Sequence, residues 1–261
     1  MNIKHPTIIK FVGYSKKDFL NEKNITLIMD YAKNGSLCNV IKKIQENCKL
    51  NDLYTNTSRQ IILIGIARGM KYLHDRNIIH RDLKLDNILL DDDFHPLITD
   101  FGMSKFFETG HTYSQSQYGG TISYIAPEIF RNDPYGPEAD VYSFAILMFE
   151  VVTDSLANPD LLNGTLNAFF FRNKVVSENY RPKFTKKVKS SIKKLIEKCW
   201  SDDPKERPTF NDIFKSLTNN DDSGEDFFLN GVDKKKVNSY INDISEINDP
   251  LERLTYLKKK K

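Results

Sequence analysis

Cysteine is scarce: the 261 residues hold three, Cys38, Cys48 and Cys199, at no spacing that binds a metal. That excludes a disulfide scaffold and a zinc module, and points to a reduced, cytoplasmic setting. Long apolar runs are also missing. The longest, over residues 144–152, is interrupted by Glu150 and is too short to span a bilayer, so no transmembrane segment is expected. The opening Met1-Asn2-Ile3-Lys4-His5-Pro6 lacks the apolar stretch of a secretory signal. Charge of one sign is lacking over most of the chain. The net charge of +3 resides in residues 227–261, which carry eight Lys/Arg against five Asp/Glu, and the first 226 residues balance. A body without a basic stripe gives no reason to expect a nucleic-acid partner. No internal repeat is present. What remains is an ordinary globular composition, 39% hydrophobic and 28% charged, in a chain long enough to bury its own core.

The patterning then divides the chain. Ile8-Ile9-Lys10-Phe11-Val12-Gly13-Tyr14 and Ile25-Thr26-Leu27-Ile28-Met29-Asp30-Tyr31 are β-branched and aromatic, and the polar Asn21–Asn24 between them suits a hairpin. Asn34-Gly35-Ser36 breaks the chain before a helical pattern at 37–47. Thr57 and Gln60 have the spacing of a capping box, and Ile62, Ile66, Met70 and Leu73 follow on one helical face. Short strands are expected at Ile78-Ile79, Ile88-Leu89-Leu90 and Leu97-Ile98. Residues 103–127 are polar and rich in Gly, Ser, Thr and Tyr, a length of loop that is usually functional or disordered. Residues 140–153 are helical and apolar nearly all round, as a central buried helix is. Residues 219–226 read as an acidic linker. Val237, Tyr240, Ile241, Ile244 and Ile247 then form a helical stripe expected to dock on the main body, ahead of the closing Lys258-Lys259-Lys260-Lys261.

Chemistry concentrates in three places. His80-Arg81-Asp82-Leu83-Lys84-Leu85-Asp86-Asn87 matches H-R-D-x-x-x-x-N, Asp100-Phe101-Gly102 follows the next strand pair, and Ala126-Pro127-Glu128 closes the polar loop. A carboxylate beside a hydroxyl orients it and takes its proton, which is the part for Asp82. Lys84, two residues on in an extended loop, can neutralise a moving anionic group. Asn87 and Asp100 offer the hard oxygens that Mg²⁺ prefers. His74, His95 and His111 have no metal spacing, and Asp91-Asp92-Asp93 reads as a solvated turn.

These motifs, in this order and spacing, resemble the eukaryotic protein kinase family, over roughly residues 5–217. The resemblance implies an α+β fold with a mainly helical C-lobe and only a remnant, two to three strands, of the β-rich N-lobe. The divisions it implies are 1–32 (N-lobe remnant and hinge), 33–218 (C-lobe), 219–226 (acidic linker) and 227–261 (helical tail). It further implies ATP and Mg²⁺ as cofactors, with Asp82, Lys84 and Asn87 catalytic and Asn87 and Asp100 holding the metal. Met29 would stand at the back of the adenine pocket, Asp30 and Ala32 would meet adenine through their backbone, and Leu89 would lie under the ring. His80 is expected to be structural, packed on Phe101. Glu128 with Arg207 is expected to form an ion pair, and Asp140 to hold the loop backbone at 80–82. Lys84 with Gly120-Thr121-Ile122-Ser123-Tyr124 resembles the serine/threonine pattern, with Thr121 a structural part of the substrate platform. Cys199-Trp200-Ser201 through Arg207-Pro208-Thr209-Phe210 resembles the tyrosine-kinase-like branch. Protein Ser/Thr hydroxyls are the implied substrates. Arg81 beside the base implies a phosphate partner on the polar loop, at Thr109, Thr112, Ser114 or Ser116, placed by an upstream kinase or by the protein itself.

The family's Gly-rich loop, strand lysine and helix glutamate all precede the His-Pro that matches His5-Pro6, and the sequence contains no G-x-G-x-x-G and no V-A-I-K. Two readings follow: a piece of a longer polypeptide, or a short form with weak ATP binding of its own. Either leaves an apolar face of Ile8, Phe11 and Ile28 partly exposed. An inactive kinase-like interaction module is the alternative to an enzyme.

Overall fold

A computed structural model of the protein describes residues 3–46, 54–106, 121–162, 164, 166–219 and 223–245. Two strands, β1 (Phe11–Ser15) and β2 (Thr26–Met29), pair antiparallel with an irregularity between Phe11 and Gly13. Successive strand residues point to opposite faces, and Phe11, Val12, Tyr14, Leu27, Ile28 and Met29 are all exposed, so apolar side chains are uncovered on both faces of the hairpin. Ile8 departs from the expectation that it shares this exposure. The Ile9 N–H donates to the Ile98 carbonyl (2.9 Å) and the Ile98 N–H to the Thr7 carbonyl (2.8 Å), so the chain before β1 lies against the body and Ile8 is buried.

Helix α1 (Leu37–Gln45) starts at Ser36, whose hydroxyl accepts from the Asn39 N–H. Helix α2 (Asn56–His74) buries Ile62, Ile66, Met70 and Leu73 completely, the stripe that the periodicity predicts. Its cap differs from the expected Thr57/Gln60 box. Thr55 and Ser58 form the box, with the Thr55 N–H donating to the Ser58 hydroxyl (2.6 Å), while Thr57 and the buried Gln60 bond to partners far along the chain. Gly69 lets α2 approach the N-terminal segment, since a Cβ there would meet Thr7 and Ile98.

Strands β3 (Ile78–Ile79), β4 (Ile88–Leu90), β5 (Pro96–Ile98) and β6 (Lys105–Phe106) make two short antiparallel pairs, β3 with β6 and β4 with β5. After α3 (Pro127–Arg131), which has proline at its first position, comes α4 (Glu138–Thr153). Every residue of α4 except Glu138 and Val152 is buried, as its all-round apolar pattern requires. Helices α5 (Pro159–Leu162), α6 (Ala168–Ser177), α7 (Ser190–Cys199) and α8 (Phe210–Leu217) follow, α6 packing on α3, α7 on α4 and α8 on α2. Helix α9 (Lys234–Ser245) lies on α2 with Val237, Tyr240 and Ile244 buried. Ile247, Cys48, His111 and the closing lysines lie outside the described residues.

The fold is therefore α+β, a helical body around α2 and α4 with few, short strands. No helix of the described residues is long and apolar enough to cross a membrane.

Candidate active site

The loop after β3 cannot be regular, because Arg81 has φ +71°, a left-handed conformation that costs a non-glycine residue about 1 kcal/mol or more. Asp140, in the first turn of α4, holds it there. Its Oδ2 accepts from the His80 N–H (2.8 Å) and its Oδ1 from the Arg81 N–H (2.9 Å). His74 at the end of α2 adds a third contact to Oδ2 (2.9 Å). Burial alone would push the Asp140 carboxyl up, yet the hydrogen bond and charge of His74 and the Arg81 N–H hold it below the ordinary carboxylate value. The buried carboxylate is thus matched by convergent donors, the condition under which burying a charge is tolerable.

His80 is fully buried and burial lowers its pKa. The Asp82 N–H donates to Nδ1 (3.3 Å), which leaves Nε2 to donate to the Thr99 carbonyl (3.0 Å). The neutral ring therefore ties the loop to the end of β5, and it packs on Phe101 with centroids 5.3 Å apart.

Asp82 stands at the centre of the site and is largely buried. Its Oδ2 receives the Lys84 ammonium (2.8 Å) and the Asn87 amide (3.0 Å), and Asn87 also donates to the Asp82 carbonyl (2.8 Å). Its Oδ1 accepts both the N–H and the hydroxyl of Thr121 (3.1 Å each). Lys84 in turn donates to the Thr121 hydroxyl (2.8 Å). Asp82, Lys84 and Asn87 thus meet in one cluster. Spacing alone does not put Thr121 in contact with Asp82, because the two are separated by a long loop; the glycine–threonine step before Ala126-Pro127-Glu128 was its sequence signal.

Asp100 follows β5 with φ +62° and is exposed, its Oδ1 accepting from the Gly102 N–H (3.2 Å). The Thr99 N–H donates to the Asn87 carbonyl (3.0 Å), so the segments that carry Asn87 and Asp100 are joined. Leu89 is half-buried in the middle of β4. Ala32 is buried, Asp30 is exposed with its N–H donating to the Lys10 carbonyl (3.0 Å), and Met29 is exposed at the end of β2.

Two supports lie behind the cluster. Arg207 and Glu128 form a buried bidentate pair (2.7 and 2.8 Å) that joins α3 to the chain before α8. Sequence reasoning missed the second. Tyr124 donates to Glu150 on α4 (2.6 Å) and its oxygen receives the Leu85 N–H (3.5 Å), linking the chain before α3 to the loop after Asp82. Its signal was Glu150, which interrupts the apolar run of residues 144–152. Gly120, Thr109, Thr112, Ser114 and Ser116 lie outside the described residues.

A largely buried carboxylate that accepts from an ammonium, an amide and a hydroxyl can take a proton next to an anionic group. The family model for the protein kinase domain matches residues 1–217. The chain is 36% identical over 221 residues to a probable serine/threonine-protein kinase of Dictyostelium discoideum, covering 83% of this chain and 15% of that protein. It is 35% identical over 219 residues to the probable serine/threonine-protein kinase drkC of the same organism, with 82% and 27% covered. To the serine/threonine-protein kinase STY17 of Arabidopsis thaliana it is 30% identical over 218 residues, with 82% and 35% covered. The chain spans well under half the length of each of these relatives.

Proposed function

The chain belongs to the eukaryotic protein kinase family, on its serine/threonine side, and from that premise we propose that it carries the phosphoryl-transfer centre of an ATP-dependent protein serine/threonine kinase of the tyrosine-kinase-like branch. The observation that carries the reading is the hydrogen-bonded cluster of Asp82, Lys84, Asn87 and Thr121. A substrate hydroxyl brought to Asp82 takes the place that the Thr121 hydroxyl now holds on Oδ1. It gives its proton to that carboxylate as its oxygen bonds to the terminal phosphorus of ATP, and ADP leaves. Lys84 stays beside the carboxylate and offsets the negative charge of the transferred group. The backbone of Asp30 and Ala32 with the side chain of Leu89 would receive the adenine.

Asn87 and Asp100 would hold Mg²⁺. Asn87 spends its amide nitrogen on Asp82, which leaves its oxygen as an acceptor, and Asp100 is an exposed carboxylate. Among the described residues no three His, Cys, Asp or Glu side chains converge on one point. An ion that takes one or two protein oxygens and completes its shell with phosphates and water fits that donor set. When bound, Mg²⁺ neutralises charge on the phosphates.

Labelled ATP, Mg²⁺ and a panel of Ser/Thr peptides test the reading. Asp82→Asn should reduce phosphate incorporation by about 100-fold or more in protein that circular dichroism shows to be folded. Equal incorporation by the two proteins would overturn it.

The exposed apolar surface of β1 and β2 favours a second reading, a kinase-like interaction module. The two part on nucleotide binding. A kinase centre is stabilised against heat by millimolar ATP with Mg²⁺, and a module is not.

A further inference from the structure

The residues after 219 grip the body at points with a route to the hinge. The Leu229 N–H donates to Gln60 Oε1, the Asp233 N–H to Thr57 Oγ1 and the Asn56 amide to the Asn230 carbonyl (2.9 Å each). Lys189 at the head of α7 reaches Asp226 (2.6 Å) and the Phe228 carbonyl (2.8 Å). Helix α9 then runs along α2, and Tyr240 fills a notch made by Gly65. A Cβ at that position would run into the Tyr240 hydroxyl and the Pro96 ring.

From Tyr240 the contacts continue. Its ring stacks on His95, with centroids 4.6 Å apart and planes at 37°. The His95 N–H donates to Asp91 Oδ1 (2.8 Å). The Asp91 carbonyl accepts from the Asn34 amide (2.5 Å), and the Asn34 N–H donates to the Leu90 carbonyl (3.1 Å). Leu90 donates to the Gly35 carbonyl (2.9 Å), and the Gly35 N–H to the Ala32 carbonyl (3.2 Å). A pair of three-residue strands such as β4 and β5 is marginal alone, so a ring against its turn limits where that turn can sit.

We propose that α9 is a strap that positions the hinge. Through Tyr240, His95 and Asp91 it holds the turn between β4 and β5, and with it the segment from Ala32 to Gly35. Tyr240 and His95 are positioning residues in this scheme. The consequence for nucleotide binding rests on the reading of Asp30 and Ala32 as the adenine contacts. The mechanical link does not. Linkage makes the coupling reciprocal: a nucleotide that orders the hinge also tightens the strap.

Amide hydrogen exchange on the full chain tests the link without nucleotide. Tyr240→Ala should speed exchange at Asn34, Gly35, Leu90 and Asp91 by about tenfold or more, with α4 still protected. Tyr240→Phe, which keeps the ring, should match the wild type. Faster exchange in α9 with no change at those four amides would overturn the proposal. If Tyr240→Ala fails to fold, His95→Ala removes the other half of the stack from a partly exposed turn and carries the same expectation. A second arm measures binding of ATP with Mg²⁺ by calorimetry. Where the wild type binds, Tyr240→Ala should bind roughly threefold or more weakly. Equal binding would overturn the coupling to the nucleotide site. If the wild type itself does not bind, the adenine reading fails, and the exchange result still decides the strap.

Discussion

Replacing Glu150 with glutamine should change the way stability depends on pH, and the structure sets the size of the change. Glu150 is buried on α4, with Oε1 accepting from the Ala157 N–H (2.9 Å) and Oε2 from the Tyr124 hydroxyl (2.6 Å). Burial lifts its carboxyl from 4.5 to about 7 against the pull of those two hydrogen bonds. A raised value means that the folded protein holds this proton more tightly than the unfolded chain does. The stabilisation is therefore complete below pH 4.5 and is lost as pH rises through about 7. At roughly 1.4 kcal/mol per pH unit, the whole effect is about 3 kcal/mol. Glutamine has nearly the same shape, keeps one carbonyl acceptor and does not titrate. Urea unfolding at pH 5 and pH 8 should then give stabilities within about 1 kcal/mol of each other for the two proteins at pH 5. At pH 8 the advantage of Glu150→Gln should approach ~3 kcal/mol, a midpoint shift of about 1 M or more. Taking the difference between the two proteins removes every other titrating group from the comparison. A difference that stays constant from pH 5 to pH 8 would refute the reasoning.

Glu128→Ala strands the Arg207 guanidinium, whose side chain is 0% exposed. Unfolding in denaturant should show a loss of about 3–5 kcal/mol, and an unchanged midpoint would mean that the pair is not closed in solution. Asp140→Asn presents an amide where three donors converge, so the His80 or the Arg81 N–H loses its acceptor. Stability should fall by roughly 1–3 kcal/mol, and phosphate transfer should fall with it as Arg81 leaves its left-handed conformation. A variant of wild-type stability and rate would show that Asp140 does not hold the loop.

Much of the architecture is readable along the chain because it is local. The stripe of Ile62, Ile66, Met70 and Leu73 selects a helix and its buried face, and the apolar circumference of residues 140–153 selects a central one. The contact of His80 with Phe101, the Glu128–Arg207 pair and the Asp140 clamp follow once the motifs are recognised by type and order. Motif and period are both carried by near neighbours, or by residue types that few other folds require.

Other features depend on which surfaces meet. Thr57 and Gln60 have the spacing of a cap, yet Thr55 and Ser58 form it, and Thr57 and Gln60 accept instead from Asp233 and Leu229 far along the chain. Ile8 belongs by composition with the exposed hairpin, but pairing beside β5 buries it. Thr121 reaches Asp82 across 39 positions and Glu150 reaches Tyr124 across 26. By itself the sequence determined which side chains carry charge and protons, and which helices form the body. The packing of α2, α4 and α9 decided which polar groups meet without water, and so which carboxylate is held charged and which is pushed toward neutrality. A hydrogen bond or a desolvated charge is a property of two surfaces brought together, and only the tertiary structure brings them together.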